Sequence, residues 1–318
     1  MSLLKVDNLA VEFRSDKKKI QPISGVSFEM DAGEVLGVVG ETGSGKSLTA
    51  HAIMGLTALS GGKASGSVQL DNKELLTLSS EEMQTIRGAR ISFIPQNPMT
   101  SLDPVYRVGD QIVEGLRKHS TIDKKEAKHQ ALDIMGKLRI PDPARVYSQY
   151  PHQLSGGLKQ RIVIAIGLVT NPQMLIADEP TTALDVTVQA QIMNLFKDQT
   201  VARGIGLLLI THDLGVVAQV CDRIAVMYAG NVVEYGKVRA VFEEPKHPYT
   251  QALLACIPVM GMEKGSLSSI SGNVPSAENY PPGCRYHTRC ASVMSKCREQ
   301  KPAMVIMNNG TGSACHKY

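Results

Sequence analysis

Apolar and polar side chains alternate in residues 3–13 (LLKVDNLAVEF) and 24–30 (SGVSFEM), a period that predicts half-buried strands. Residues 34–39 form a short continuous apolar run suited to a central strand. A glycine-rich turn follows it, and residues 47–56 have helical character. Asp71-Asn72 separates two short apolar stretches as a hairpin turn would. The pattern then changes. Residues 108–119, 124–138 and 156–170 carry the helical period, and Pro141 and Pro143 break the second from the third. Strand and helix alternate again afterwards: strands at 173–177 and 206–210, helices at 186–201 and 214–220, strands at 224–228 and 231–234. Such alternation predicts an α/β fold with a largely parallel sheet covered by helices, into which a helical block, about 97–170, is inserted.

Periodicity disappears after residue 258, where GMEKGSLSSISGNVPSAENYPPG is rich in Gly, Ser and Pro. The expected division is a domain of residues 1–257 and a small extension of 258–318, too poor in apolar side chains for a sizeable core of its own. No internal repeat is visible.

Composition narrows the function classes. The 318 residues are 43% hydrophobic and 20% charged, ordinary globular usage that excludes a disordered or fibrous chain. No apolar run approaches the ~20 residues of a membrane helix, and MSLLKVDNLAVEF lacks the basic start and cleavage site of a secretory signal. The net charge of +4 is too small to argue for nucleic acid, and with no Trp and five Phe a base-stacking platform is not expected. Lys17-Lys18-Lys19 reads as a solvated turn.

GETGSGKS, residues 40–47, fits the G-x-x-x-x-G-K-[ST] phosphate loop. Gly40, Gly43 and Gly45 let backbone N–H groups curl around phosphate oxygens, with Glu41, Thr42 and Ser44 between them, and the following helix points its positive end at the same charge. Lys46 would reach the β- and γ-phosphates and Ser47 would bind Mg²⁺; Thr49 is assigned to the same site. Residues 174–179 (MLIADE) supply a complementary piece: an apolar strand ending in Asp178, a metal ligand, and Glu179, placed to polarise the attacking water.

LSGGLKQR, residues 154–161, resembles the signature motif of ABC ATPases, and other pieces agree in order and spacing. Gln96 matches the Q-loop glutamine, Thr182-Ala183-Leu184-Asp185 the D-loop and His212 the switch histidine. The resemblance covers roughly residues 3–255. It implies a RecA-like P-loop core, an antiparallel β subdomain and the inserted helical subdomain. It also implies head-to-tail dimers sandwiching two ATP molecules, in which Ser155, Gly156 and Gly157 face the partner's nucleotide. Gln96 would join Ser47 and Asp178 around Mg²⁺, and Asp185 would link the two sites. As a plain helix start, Ser155 also reads as an N-cap. Adenine in many ABC ATPases stacks on an aromatic upstream of the phosphate loop; here Phe13 is the nearby candidate, and it reads equally as a strand core residue.

YPHQLSGG, PMTSLDP and HPYTQALL narrow the resemblance to the ATPases of dipeptide, oligopeptide and nickel importers. The implied activity is ATP hydrolysis powering peptide uptake, with a nickel or metal-chelate importer as the alternative and a non-transport ABC ATPase as a distant one. The implied partners are two membrane permeases, a second ATPase (a paralogue or the same chain) and, indirectly, an extracytoplasmic binding protein. The implied location is the cytoplasmic face of the inner membrane.

Four of the six cysteines lie near the C-terminus as Cys284-x5-Cys290-x6-Cys297-x17-Cys315. Four thiolates could bind zinc or an iron–sulfur cluster, or remain free or form disulfides. The gaps exceed those of common structural zinc sites, and the extension resembles one that carries a 4Fe–4S cluster in the peptide-importer ATPases. His287 and His316 are neighbouring alternatives as ligands, whereas Cys221 and Cys256 read as small packing residues.

Overall fold

The computed structural model describes residues 2–15, 18–181, 185–257 and 269–318. It divides into two compact units. The first comprises Met1–Asp31, Val35–Thr77 and Ile210–Tyr318; the second comprises Ala32–Glu34 and Leu78–Leu209.

In the first unit, an antiparallel sheet has the order Lys18–Asp31, Ser2–Ser15, Gly62–Leu70, Lys73–Glu74. The apolar positions of its second strand change parity, Leu4 and Val6 giving way to Leu9 and Val11, yet all four are buried. A bulge explains this. Asn8 has φ 49°, and the pairing shifts register between Val6 and Leu9 on one side and between Asp7 and Ala10 on the other. Gly66 faces the bulge, where a Cβ would meet Asn8 O at 2.5 Å. Asp71 and Asn72, both at positive φ, form the expected turn between the last two strands.

The lysine run is a correction to the sequence reading. Lys18 and Lys19 begin a strand rather than a turn, with Lys19 opposite Arg14 and paired to Glu12. Lys17 lies outside the described residues. Cations on an edge strand carry no apolar alternation that would distinguish them from a solvated turn.

The first unit also contains strands in the order Val305–Ile306, Gly312–Ser313, Asn231–Lys237, Arg223–Tyr228, Val35–Val39. Val35–Val39 is buried at every position, as a central parallel strand is, and pairs in parallel with Arg223–Tyr228. The expected division near 258 falls outside the described residues. The segment beyond it belongs to the first unit: Ser313 pairs with Glu234 and Ala314 N–H donates to Val233 O at 2.8 Å. The segment is thus joined to the first unit by sheet addition and by buried Tyr286, which packs on Tyr228 and Tyr249, contacts that apolar periodicity does not announce.

The second unit holds parallel strands Ile91–Ile94 and Met174–Asp178. Gly206–Thr211 comes next in order, its last two residues lying in the first unit. Helices Val108–His119, Lys124–Lys137, Gly156–Leu168 and Val186–Arg203 lie close to the expected bounds. Asp123, Ser155 and Asp185 cap the last three through their side chains. Pro143, read as a breaker, instead opens the short helix Pro143–Tyr147 at its first position. Short elements without a long apolar period escaped the sequence reading, among them Ser80–Ile86 with its Ser79/Glu82 capping box. Among the described residues, no helix is long and apolar enough to cross a membrane.

Candidate functional site

The phosphate loop lies in the first unit. Val39 pairs with Val226, so the chain leaves the sheet at Gly40 against the backbone of Met227. A Cβ on Gly40 would stand 2.2 Å from Met227 O, which makes glycine obligatory there. Gly43 and Gly45 hold φ of 82° and 101°. Ser44 N–H donates to Glu41 O at 3.1 Å, and Gly230 N–H donates to Ser44 O at 2.8 Å, closing and pinning the loop. Helix Lys46–Ile53 follows with Gly45 at its N-cap and no side-chain cap, an arrangement that directs a helix start at an anion.

Lys46 is buried, and its Nζ donates to Gly40 O at 2.7 Å and Glu41 O at 3.1 Å. The ammonium is therefore held inside the curl of the loop. Ser44 is fully buried and its Oγ has no hydrogen-bond partner among the described residues, a group that a bound ligand or water would satisfy. Thr42, Gly43 and Ser47 are exposed at the loop and helix start. Thr49 is buried, its Oγ1 donating to Gly45 O at 2.9 Å, so this hydroxyl is committed to the first turn of the helix.

His212 is exposed directly after strand Gly206–Thr211. Its neighbours fix the backbone: Thr211 Oγ1 accepts from Asp213 N–H at 3.0 Å, and Asp213 caps helix Leu214–Val220. Phe13 pairs with Ile20 and Gly62, and its ring lies over the bare backbone of Gly62, half-buried.

Three residues that the sequence reading did not single out hold the loop from behind. Tyr249 is fully buried and its Oη accepts the Glu41 N–H at 2.9 Å. Arg289 forms two bonds to the Glu41 carboxylate, at 2.9 and 3.1 Å. Tyr228 Oη accepts from Arg289 at 3.4 Å. Tyr249 sits on helix Pro248–Ala255, which His247 caps by accepting Tyr249 N–H on Nδ1 at 3.0 Å. Burial pushes His247 down to about 3, so the ring is neutral and free to accept. The HPY triplet within HPYTQALL was the available signal for Tyr249; nothing local marked Arg289.

The second unit assembles another group. Ile94 pairs in parallel with Ala177, so Gln96 and Glu179, each two residues further on, emerge at the same end of their strands. Gln96 Nε2 donates to Glu179 Oε2 at 2.9 Å. Asp178 is buried at its strand end. Glu179 holds φ 45°, a left-handed conformation that costs of order 1–3 kcal/mol for a non-glycine residue and clusters at functional sites.

Ser155 caps helix Gly156–Leu168 by accepting Leu158 N–H at 3.4 Å, with Ser155 and Gly156 exposed and Gly157 half-buried. Asp185 accepts Val188 N–H at 3.0 Å as the cap of its helix. Thr182, Ala183 and Leu184 lie outside the described residues.

Cys284, Cys290, Cys297 and Cys315 are all unbridged thiols in the first unit. Cys284 N–H donates to Cys297 O at 2.9 Å, which ties these two stretches of backbone together. Burial pushes Cys284 up to about 11, while Tyr286 N–H hydrogen-bonds its sulfur; burial also raises Cys315, whose sulfur is bonded by Lys317 N–H. Among the described residues, no three His, Cys, Asp or Glu side chains form a ready ligand set for a metal ion.

Comparison with known proteins agrees with this geometry. A family model described as ABC transporter matches residues 23–182, and one described as oligopeptide/dipeptide transporter, C-terminal region, matches residues 233–297. The chain is 46% identical over 318 residues to the oligopeptide transport ATP-binding protein AppD of Bacillus subtilis, covering all of this chain and 97% of that one. It is 43% identical over 316 residues to the dipeptide transport ATP-binding protein DppD of Escherichia coli, covering 99% and 97%. Among solved structures, a dimeric post-hydrolysis state of the ATP-binding cassette MJ0796 bound to ADP and Pi matches with a TM-score of 0.67 at 28% identity, covering 74% of this chain and 99% of that one. The family model and the 43–46% identity to transport ATP-binding proteins over nearly the whole chain establish that this chain belongs to the ABC transporter family of ATP-binding cassettes.

Proposed function

We propose that the chain is the ATP-hydrolysing subunit of an importer of dipeptides and oligopeptides, working at the cytoplasmic face of the inner membrane on two permease subunits. The observation that carries this reading is the end-to-end likeness to peptide-transport ATP-binding proteins, which includes the C-terminal region as well as the cassette.

In this reading the backbone of residues 40–47 and the Lys46 ammonium bind the phosphates of ATP. Mg²⁺, when bound, neutralises phosphate charge, and Ser47, Gln96 and the buried carboxylate of Asp178 are the residues to hold it. Glu179 orients the attacking water, and the Gln96 amide that bonds it fixes its direction. His212 contacts the γ-phosphate. Ser155, Gly156 and Gly157 present a helix start to the nucleotide of a second ATPase, a paralogue or a second copy, and Asp185 links the two sites. ATP then favours the closed dimer because it is contacted from both sides only there.

All four C-terminal cysteines are unbridged, and Cys284 and Cys315 each accept a backbone N–H on sulfur; among the described residues they form no ready ligand set for a metal ion. Cys284, Cys290, Cys297 and Cys315 would hold a 4Fe–4S cluster that staples the segment. About four iron and four sulfide per chain after anaerobic purification support it; zinc or no metal overturns it.

The test of function is reconstitution of the chain with its permeases, its ATPase partner and the extracytoplasmic binding protein in vesicles. Peptide import strictly dependent on ATP is the expected result. Import of nickel or a metal chelate, with none of peptides, would overturn the substrate assignment.

A further inference from the structure

The first variable residue of the phosphate loop is held on every polar group it has. The Glu41 N–H goes to Tyr249 Oη at 2.9 Å, its carbonyl accepts from Lys46 Nζ at 3.1 Å, and its carboxylate takes both bonds of the Arg289 fork. Arg289 is the residue before Cys290, in the C-terminal segment far along the chain. Its side chain is 4% exposed and that of Glu41 29%. Arg289 is itself fixed by Ser271 O at 2.8 Å, Ile270 O at 3.3 Å and Tyr228 Oη at 3.4 Å. A planar fork held at this many points positions what it binds; it does not merely follow it.

The charge is as informative as the geometry. A carboxylate in a phosphate loop adds a negative charge where phosphate oxygens are to bind, and at partial burial such repulsion is poorly screened. The bidentate guanidinium cancels it. We propose that Arg289 is a positioning residue for nucleotide binding: it neutralises and orients Glu41, so that the cysteine-bearing C-terminal segment sets the affinity of the phosphate loop. The inference rests on the reading of residues 40–47 as a nucleotide phosphate loop. By linkage, nucleotide in that loop stabilises the segment around Arg289 by the same factor.

The test titrates a fluorescent ADP analogue into the full-length protein and its Arg289→Gln, Glu41→Gln and double Glu41→Gln/Arg289→Gln variants, at low and high salt. Arg289→Gln leaves the Glu41 carboxylate unpaired and weakens binding about tenfold at low salt, less at high salt. The double variant, which removes the repelling charge as well, recovers to within about threefold of the parent. In parallel, ADP slows hydrogen exchange of the segment around Arg289 in the parent and not in Arg289→Gln. Unchanged affinity in Arg289→Gln, or a double variant as weak as it, overturns the proposal, because simple misfolding of the segment is not rescued by a change at Glu41. Lys46→Ala separates the two levels: if it binds the analogue like the parent, the phosphate-loop reading itself is wrong.

Discussion

Gln96 Nε2 donates a 2.9 Å hydrogen bond to Glu179 Oε2, joining the ends of two parallel strands. The bond aims a carboxylate whose backbone is already strained at φ 45°. Such strain persists where a direction matters more than local stability. Glu179→Gln therefore keeps ATP binding, loses at least about 100-fold in phosphate release, and accumulates closed dimers on size-exclusion chromatography. Gln96→Ala removes this bond while keeping the carboxylate and lowers turnover about tenfold. Normal turnover in Glu179→Gln would remove its assigned role.

Lys46 is predicted to act on binding instead. Its ammonium is held by two loop carbonyls, Gly40 O and Glu41 O, and the residue is buried. Lys46→Ala removes both the charge for phosphate and the tie that keeps the loop curled. Calorimetric titration with ATP should show affinity lower by at least about tenfold, with the melting temperature of the nucleotide-free protein also reduced. Equal affinity would show that phosphate charge is met elsewhere.

The candidate site residues were legible because their motifs are local. Residues 40–47 need glycines at fixed offsets, and an apolar strand ending in Asp178-Glu179 announces itself. The parallel register that sets Gln96 beside Glu179 was not legible, since it depends on pairing residues 83 apart in sequence. The supports of the loop were less visible still. Arg289 reaches Glu41 across 248 residues from a segment with no apolar period. The parity change in the first strand was hidden for a different reason: Asn8 absorbs it in a bulge, so Leu4, Val6, Leu9 and Val11 all face inward although strict alternation would send two of them out. The lysine run misled because strand edges tolerate cations as readily as turns do.

Tyr249→Phe isolates one support of the loop. The substitution keeps the ring against Tyr228, whose centroid lies 4.6 Å away, and removes only the hydroxyl. Glu41 N–H then loses its acceptor, a cost of about 1–3 kcal/mol if the group stays buried. The expected outcome is a lower urea midpoint together with ADP affinity weakened several-fold. A drop in stability with unchanged affinity would mean that Tyr249 packs the helix but does not hold the loop.

His247 makes the fold sensitive to mild acid. The ring is 1% exposed, its Nδ1 accepts the Tyr249 N–H, and burial holds it at about 3, well below its ordinary 6.5. Nearby, Glu234 accepts the N–H groups of Lys246 and His247, and burial raises its carboxyl. For a histidine depressed in this way, the unfolded chain takes up a proton below 6.5 while the native one does not, so stability is complete above 6.5 and falls as pH drops toward 3. Between pH 7.5 and 5.5 this single group removes about 1.4 kcal/mol. Glu234 contributes with the opposite sign: with its folded carboxyl raised, it favours the native state at low pH and loses that advantage as pH rises. His247→Asn keeps an oxygen that can accept Tyr249 N–H and abolishes the titration. Urea unfolding at the two pH values should therefore show the parent losing about 1.4 kcal/mol more than His247→Asn, with the Glu234 contribution cancelling in the difference. Identical losses would mean that His247 is protonated in the native state and that its cap on helix Pro248–Ala255 does not depend on a neutral ring.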